Sequence, residues 1–209
     1  MIYAITPENR ESYASFIEQQ FQIRHAIFVK EKGWHEFERR STYEMDQYDD
    51  DEAIYILAAE GERVIAGFRL YPTTRPHMLV SAFPQLVEGE APRGPDILEW
   101  SRIFIVRDKR DSGVYYELGA AMHEFCFARG VTSVTAVIQM PRLAVMRHAG
   151  FAVRPLGLPK DIGGQPFLAV HVEVREDALA EVRRVGNIQG PVIVNPIPHA
   201  AAAAAASLH

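Results

Sequence analysis

The chain reads as an α/β protein, a mixed sheet covered by helices on both faces. Three observations predict this. Two apolar runs, 53–60 and 64–71, meet at Glu60-Gly61-Glu62-Arg63, which is the pattern of a β-hairpin. The run Ile97 to Val106 is followed by a helical period and then by a second β-like run, Val131 to Gln139. A strand, a helix and a strand in that order make the two strands parallel neighbours. The whole order, β-α-β-β-β-α-β-α-β-β, mixes hairpins with crossovers and so calls for a mixed sheet.

Each element has its own signal. Met1 to Thr6 is a short β-like run, and Thr6-Pro7 reads as N-cap and first helical residue. Tyr13, Phe16, Ile17, Phe21, Arg24 and Phe28 then recur at helical spacing. Pro72-Thr73-Thr74-Arg75-Pro76 ends the hairpin. Met78 to Val87 predicts a short helix carrying Phe83, and 88–96 a loop. Ser112-Gly113 precedes a helix to Arg129, with Val114, Leu118, Ala121, Met122 and Phe125 on its apolar face and Gly130 as its cap. Pro141 starts a shorter helix that Gly150 ends. Residues 151–155 and 167–174 are strands, and Arg175 to Val185 is a last helix. Residues 1–185 form one domain and 186–209 a tail, whose HAAAAAAASLH end is of low complexity.

With 209 residues the chain can bury a sizeable core. Its 22 basic and 27 acidic side chains give a net charge of −5, which lacks the basic footprint of a general nucleic-acid binder. The single cysteine, Cys126, excludes a disulfide framework and a cysteine-rich metal site, and is expected as a buried apolar residue. The N-terminus has no basic and apolar leader pattern, and no run approaches the roughly 18 apolar residues of a membrane span. The expectation is a cytoplasmic protein without membrane insertion. The histidines show no HExxH-type spacing, so no metal is expected, and there is no GxGxxG or P-loop.

The stretch from Phe21 to Tyr55 is too aromatic and too charged for an ordinary connector. Taken alone, Asp49 to Glu52 reads as a solvated acidic loop. Together, Arg24, Phe28, Trp34, Asp46 and Asp49 make a pocket for a ligand carrying both a cation and a carboxylate. Arginine pairs with carboxylate bidentately, aromatic faces attract a cation, and the aspartates neutralise it. Within 97–106, Glu99, Ser101 and Arg102 are polar, which is costly on a buried strand unless satisfied. Glu99 suits a proton acceptor and Arg102 an anion partner; the other reading is an internal ion pair. Strict alternation sets Glu99 and Ser101 on one face and Arg102 on the other, so a shared site requires a β-bulge. Arg69 is positioned to pair with the Asp cluster. Arg107, Lys109 and Arg110 precede the helix at Ser112-Gly113, as a solvated turn or as a binding place for a phosphate.

This residue set, Arg24-x3-Phe28-x5-Trp34, Glu44-x-Asp46-x2-Asp49, Arg69, Phe83 and Glu99-x2-Arg102, resembles the signature of the LuxI-type acyl-homoserine-lactone synthases. Pro72-Thr73-Thr74 and the run Pro141 to Phe151 resemble the family too, so the likeness covers about residues 1–185. The resemblance implies a three-layer α-β-α sandwich related to the N-acetyltransferases, with a V-shaped cleft between the parallel strands at 97–106 and 131–139. It implies a reaction in which the amine of S-adenosylmethionine attacks an acyl thioester. The methionine carboxylate then closes a lactone ring and displaces methylthioadenosine. Both molecules are substrates, and no cofactor is implied. Asp46, Asp49, Trp34 and Phe28 would face the sulfonium and ammonium, Arg24 or Arg102 the carboxylate, and Glu99 would take the amine proton. Arg69 would supply a supporting ion pair. Phe83, Trp100, Ser101, Ile103, Met140 and Ala144 would line the acyl cleft. In the family a threonine at the Ala144 position accompanies 3-oxo acyl groups, so an acyl chain without that group is expected. The donor would be coenzyme A or an acidic acyl carrier protein, with Arg142, Arg147 and Arg154 as carrier contacts.

Two other functions share parts of this pattern. A generic N-acetyltransferase would carry a glycine-rich pyrophosphate loop after the central strand, whereas Arg107 to Gly113 holds one glycine. A non-catalytic S-adenosylmethionine-binding module would need the acidic and aromatic pocket but not Glu99.

Overall fold

The computed structural model describes residues 1–35, 38–39 and 42–197. The HAAAAAAASLH end lies outside the described residues. The strands are β1 (Ile2–Ile5), β2 (Glu38–Arg39), β3 (Tyr43–Glu44), β4 (Ile54–Glu60), β5 (Arg63–Pro72), β6 (Ile97–Ile105), β7 (Ser133–Gln139), β8 (Ala152–Pro155), β9 (Lys160–Ile162) and β10 (Gln165–Glu173). The α-helices are α1 (Ala14–Arg24), α2 (Met78–Ala82), α3 (Val114–Arg129), α4 (Pro141–His148) and α5 (Glu176–Gly186). The main sheet has the order β1-β4-β5-β6-β7-β10-β8, with β9 paired to β10; β2 and β3 form a separate ribbon. Among the described strands only β6 and β7 run parallel within it.

Helices α3, α4 and α5 cover one face of this sheet. Leu118, Met122 and Phe125 pack there with Ile56, Phe68, Leu70, Trp100 and Val134. Helix α1 covers the other face over β4, β5 and β6, packing Phe21 against Tyr55, Leu57 and Phe104. The α2 segment covers that same face over β7 and β10, where Leu79 and Leu86 meet Ala169. The expected three layers are therefore present. Gly130 caps α3 with φ of 68°, and Cys126 is buried.

Three local expectations need correction. Thr6-Pro7 does not start the first helix. Asn9 ties that segment into a turn, accepting the Thr6 N–H and donating to the Ala4 carbonyl, and helical backbone begins at Arg10. The first helix is not α-helical through Phe28, because it widens into a π-helix over His25–Glu31. Between the strands expected at 151–155 and 167–174 lies a further one, β9.

Strands β6 and β7 pair only over Ile97–Glu99 and Ser133–Thr135. Both continue for several residues without pairing to each other, so the sheet opens as a V whose apex is at Glu99 and Thr135. The required bulge is present as well. Against β5, Gly67 pairs with Phe104 and Arg69 with Ser101, so Arg102 and Ile103 together oppose Phe68. Arg102 has a φ of 53°, a left-handed conformation rare outside glycine. The extra residue turns Arg102 to the face of Ser101 and Glu99.

Residues 188–197 pack back on the domain. The Val192 and Ile193 amides donate to the Glu124 carboxylate. Ile193 bridges Ile2 in parallel, and the Asn195 amide bonds both backbone groups of Ala4.

Candidate active site

Six charged side chains close into a ring on the α1 face of the sheet. Arg24, at the end of α1, binds Glu44 at 2.6 Å and Asp49 at 2.8 Å. Arg69, on β5, binds Asp49 at 2.9 Å and Asp46 at 2.6 Å. Arg102, at the bulge, binds Asp46 at 2.6 Å and Glu44 at 2.9 Å. Each arginine bridges two carboxylates and each carboxylate two arginines. None of these side chains is more than 6% exposed. The turn at 46–49 is self-bonded, with the Asp46 N–H on the Asp49 carboxylate and the Tyr48 N–H on Asp46.

This arrangement corrects the pocket read from the sequence. That reading sets Arg24 against a ligand carboxylate and Asp46 and Asp49 against a ligand cation. In the structure these groups are bound to one another, because a buried charge must be paired. Burial disfavours the charged form of Asp49, but the Arg24 and Arg69 guanidiniums overcome it and hold the carboxyl well below the usual carboxylate range. Asp46 is lowered in the same way by Arg69 and Arg102. The Tyr55 hydroxyl donates to Asp49, and burial with that charge raises its pKa.

Phe28 and Trp34 stand beside the ring, stacked at 5.0 Å and 9°. The Arg102 guanidinium lies 5.6 Å from the Trp34 ring centre. Lys32, which the sequence reading missed, places its ammonium 4.8 Å from the Phe28 ring centre and 5.4 Å from that of Trp34. Burial, then Arg142 and Arg110, pushes the Lys32 pKa down. Its position between the two aromatics was the signal available. Glu44 was visible in the acidic cluster, but its partners Arg24 and Arg102 come from distant elements.

Glu99 is wholly buried at the apex of the V. Its carboxylate accepts the Met78 N–H at 3.0 Å and the Leu79 N–H at 2.6 Å. Burial raises its pKa, against those two amides and nearby His77 and Arg69. Glu99 and Arg102 do not form the internal ion pair: Glu99 bonds the start of α2, and Arg102 the acidic ring.

The residues expected along the acyl cleft fall into separate settings. Ser101 accepts a hydrogen bond from Arg69 and belongs with the ring. Trp100 packs on the opposite face between Phe68 and Phe151, with Ile103 against the same cluster. Phe83 packs with Leu79, Leu86 and Val137. Met140 is 50% exposed, and Ala144 is exposed on α4.

The expected donor-binding cations are divided too. Lys109 is paired with Glu60 and Arg110 with Glu31, while Arg107 is exposed. Arg142 and Arg147 are on α4, whose Leu143 and Met146 face the α3 side. Arg154, in register with His171, is on the other face, so these three do not make one patch.

The splayed pair of parallel strands in a mixed sheet covered by helices on both faces defines a fold of the N-acetyltransferase type. At the level of fold alone, the chain is similar to a putative N-acetyltransferase of Lactobacillus plantarum, with TM-score 0.59 and 19% identity over 84% of this chain and 98% of that one. The autoinducer synthase signature matches residues 8–182, and the chain belongs to the autoinducer synthase family. It is 44% identical over 181 residues to an isovaleryl-homoserine lactone synthase of Bradyrhizobium diazoefficiens, covering 86% of this chain and 82% of the relative. It is similar to the structure of the coenzyme A-dependent acyl-homoserine lactone synthase BjaI with S-adenosylmethionine and isopentyl-CoA. That likeness has TM-score 0.91 and 40% identity over 100% of this chain and 99% of the other.

Proposed function

We propose that this chain makes an N-acyl-homoserine lactone signal from S-adenosylmethionine and a coenzyme A thioester whose acyl group is short, branched and without a 3-oxo function. The observation that carries the reading is the opening of β6 from β7 at Glu99. Beyond Glu99 the two strands no longer pair with each other, which supports a place for a thioester arm between them, and the buried carboxylate at the apex is suited to take the amine proton. The acyl class follows the relative that makes the isovaleryl product, and coenzyme A follows the structure holding isopentyl-CoA.

Glu99 takes a proton from the ammonium, directly or through a water, because a protonated amine has no lone pair for attack. Its raised pKa makes it a better base than an exposed glutamate. Phe28 and Trp34 serve the sulfonium. Lys32 and Arg102 already lie over these rings, which supports their use for a cation. Arg102 is the ring member beside the aromatic pair and suits the methionine carboxylate. Arg24, Arg69, Asp46 and Asp49 act as positioning residues that hold Arg102 and the loop. Holding both substrates in one cleft supplies proximity.

The test is mass spectrometry of reactions with S-adenosylmethionine and a panel of acyl donors. The expected product is a homoserine lactone carrying a branched acyl group, formed faster from the coenzyme A thioester than from a carrier-protein thioester. Glu99→Gln should fold normally and lose about 100-fold or more in rate. A folded Glu99→Gln variant with the original turnover would remove Glu99 from the chemistry. Equal rates with 3-oxo and plain acyl donors would remove the acyl assignment.

A further inference from the structure

The reaction proposed above leaves one proton over. The ammonium nitrogen sheds one proton to become nucleophilic and a second as the amide forms. The departing sulfur takes one as it becomes a thiol. Ring closure, in which a carboxylate oxygen displaces a neutral thioether from the sulfonium, moves none. One proton per turnover must therefore leave the cleft, and the group assigned to receive it, Glu99, is wholly buried.

A row of polar side chains crosses the sheet from Glu99. Glu99 on β6 is in register with Thr135 on β7, Thr135 with His171 on β10, and His171 with Arg154 on β8. Residues in register share a face, and neighbouring strands are about 4.8 Å apart. Along β7 and β10 the next positions on this face are the apolar Val137 and Ala169 on one side and the polar Ser133 and Glu173 on the other, so an apolar boundary flanks the row on one side. Thr135 is wholly buried, and its Oγ1 has no hydrogen-bond partner among the described residues. The same holds for the buried Nδ1 of His171, whose side chain as a whole is half-buried. Arg154 at the end of the row is exposed. The row thus runs from a sealed carboxylate to the surface through two groups whose hydrogen-bonding capacity is not used by the protein.

We propose that Thr135 and His171 are relay residues that carry the proton from Glu99 to solvent. This rests on the assignment of Glu99 as the proton acceptor. Waters join neighbours in the row where their polar atoms stand beyond an O–H···O contact of about 2.8 Å. A threonine hydroxyl can accept on one side while it donates on the other, and imidazole does the same with its two nitrogens. The groups around the path are consistent with outward transfer. Glu99 is faced by Tyr71 from β5, by Arg69 and by His77 ahead of α2. His171 is faced by Arg154 from β8 and lies near Glu173 of its own strand; burial and Arg154 favour its neutral form, which is the form able to receive a proton.

The test is steady-state turnover with S-adenosylmethionine and isovaleryl-CoA, in water and in deuterium oxide. Thr135→Val keeps the shape and removes the hydroxyl, and His171→Phe removes the outer relay at a half-buried position where folding is less at risk. Both should slow turnover about tenfold, a fraction of a full acid–base contribution. Half-saturating substrate concentrations should stay within about twofold, and the solvent isotope effect should rise as proton departure becomes limiting. Thr135→Ser should recover most of the rate, and imidazole buffer should recover His171→Phe. Unchanged rates and isotope effects in both variants, with Glu99→Gln inactive, would overturn the relay and leave the Glu99 assignment standing. A rate loss that comes with a lower melting temperature and an unchanged isotope effect would also overturn it. An active Glu99→Gln variant would remove both.

Discussion

Asp49 binds Arg24, Arg69 and the Tyr55 hydroxyl at once, and its side chain is sealed from solvent. Removing its charge leaves two guanidiniums facing fewer anions inside the protein. We expect Asp49→Asn to cost about 3–5 kcal/mol, the range for breaking a buried ion pair by one partner, as read from urea unfolding. The same charges set an acid limit. The folded-state pKa values of Asp46 and Asp49 are depressed, so the unfolded chain binds more protons as pH falls. Their stabilisation is complete above the unfolded carboxylate value of about 4 and drains away below it. The urea midpoint should fall between about pH 5 and pH 2.5, and fall less in Asp49→Asn. A flat midpoint over that interval would refute the account.

At the scale of elements, the bulge in β6 is the feature that makes the site. It turns Arg102 onto the face of Ser101 and requires a left-handed backbone at a residue other than glycine. Such a conformation costs on the order of 1–3 kcal/mol and persists where surroundings over-determine it. The two bonds from Arg102 to Glu44 and Asp46 provide that constraint. Gly67 on β5, paired with Phe104 beside the bulge, leaves room for the crossing. A Cβ there would come within 2.5 Å of Leu57 Cδ2 and 2.7 Å of the Ile56 carbonyl oxygen. Gly67→Ala must therefore displace backbone, and should lower the melting temperature by several degrees, corresponding to about 1–3 kcal/mol. A melting temperature equal to the parent's would show that β5 yields without cost.

At the scale of the molecule, the segment after α5 closes the sheet at β1. Asn195 replaces a neighbouring strand for Ala4, and Glu124 of α3 gathers the Val192 and Ile193 amides. Asn195→Ala should cost about 1–2 kcal/mol for the two hydrogen bonds, measured by urea unfolding. It should also promote self-association, because an unpaired strand edge is a template for other chains. No helix among the described residues is long and apolar enough to cross a membrane.

Much of this protein was legible locally. The apolar run at 97–105, the hairpin before it and the glycine-capped helix after it are written in neighbouring residues, because propensity, caps and turns act over a few positions. The residue set from Arg24 to Arg102 was legible as a pattern, and so was the need for a bulge if Glu99 and Arg102 were to share a site. The direction of the charges was not. Arg24, Arg69 and Arg102 come from a helix and two strands, and Glu44, Asp46 and Asp49 from β3 and the turn that follows it. Only when packing buries all six does the cost of an unpaired charge force them to bind one another rather than a ligand. The polar row from Glu99 to His171 was hidden for the same reason. It depends on the register of three strands, which is decided by the assembled sheet and by no single segment of the chain.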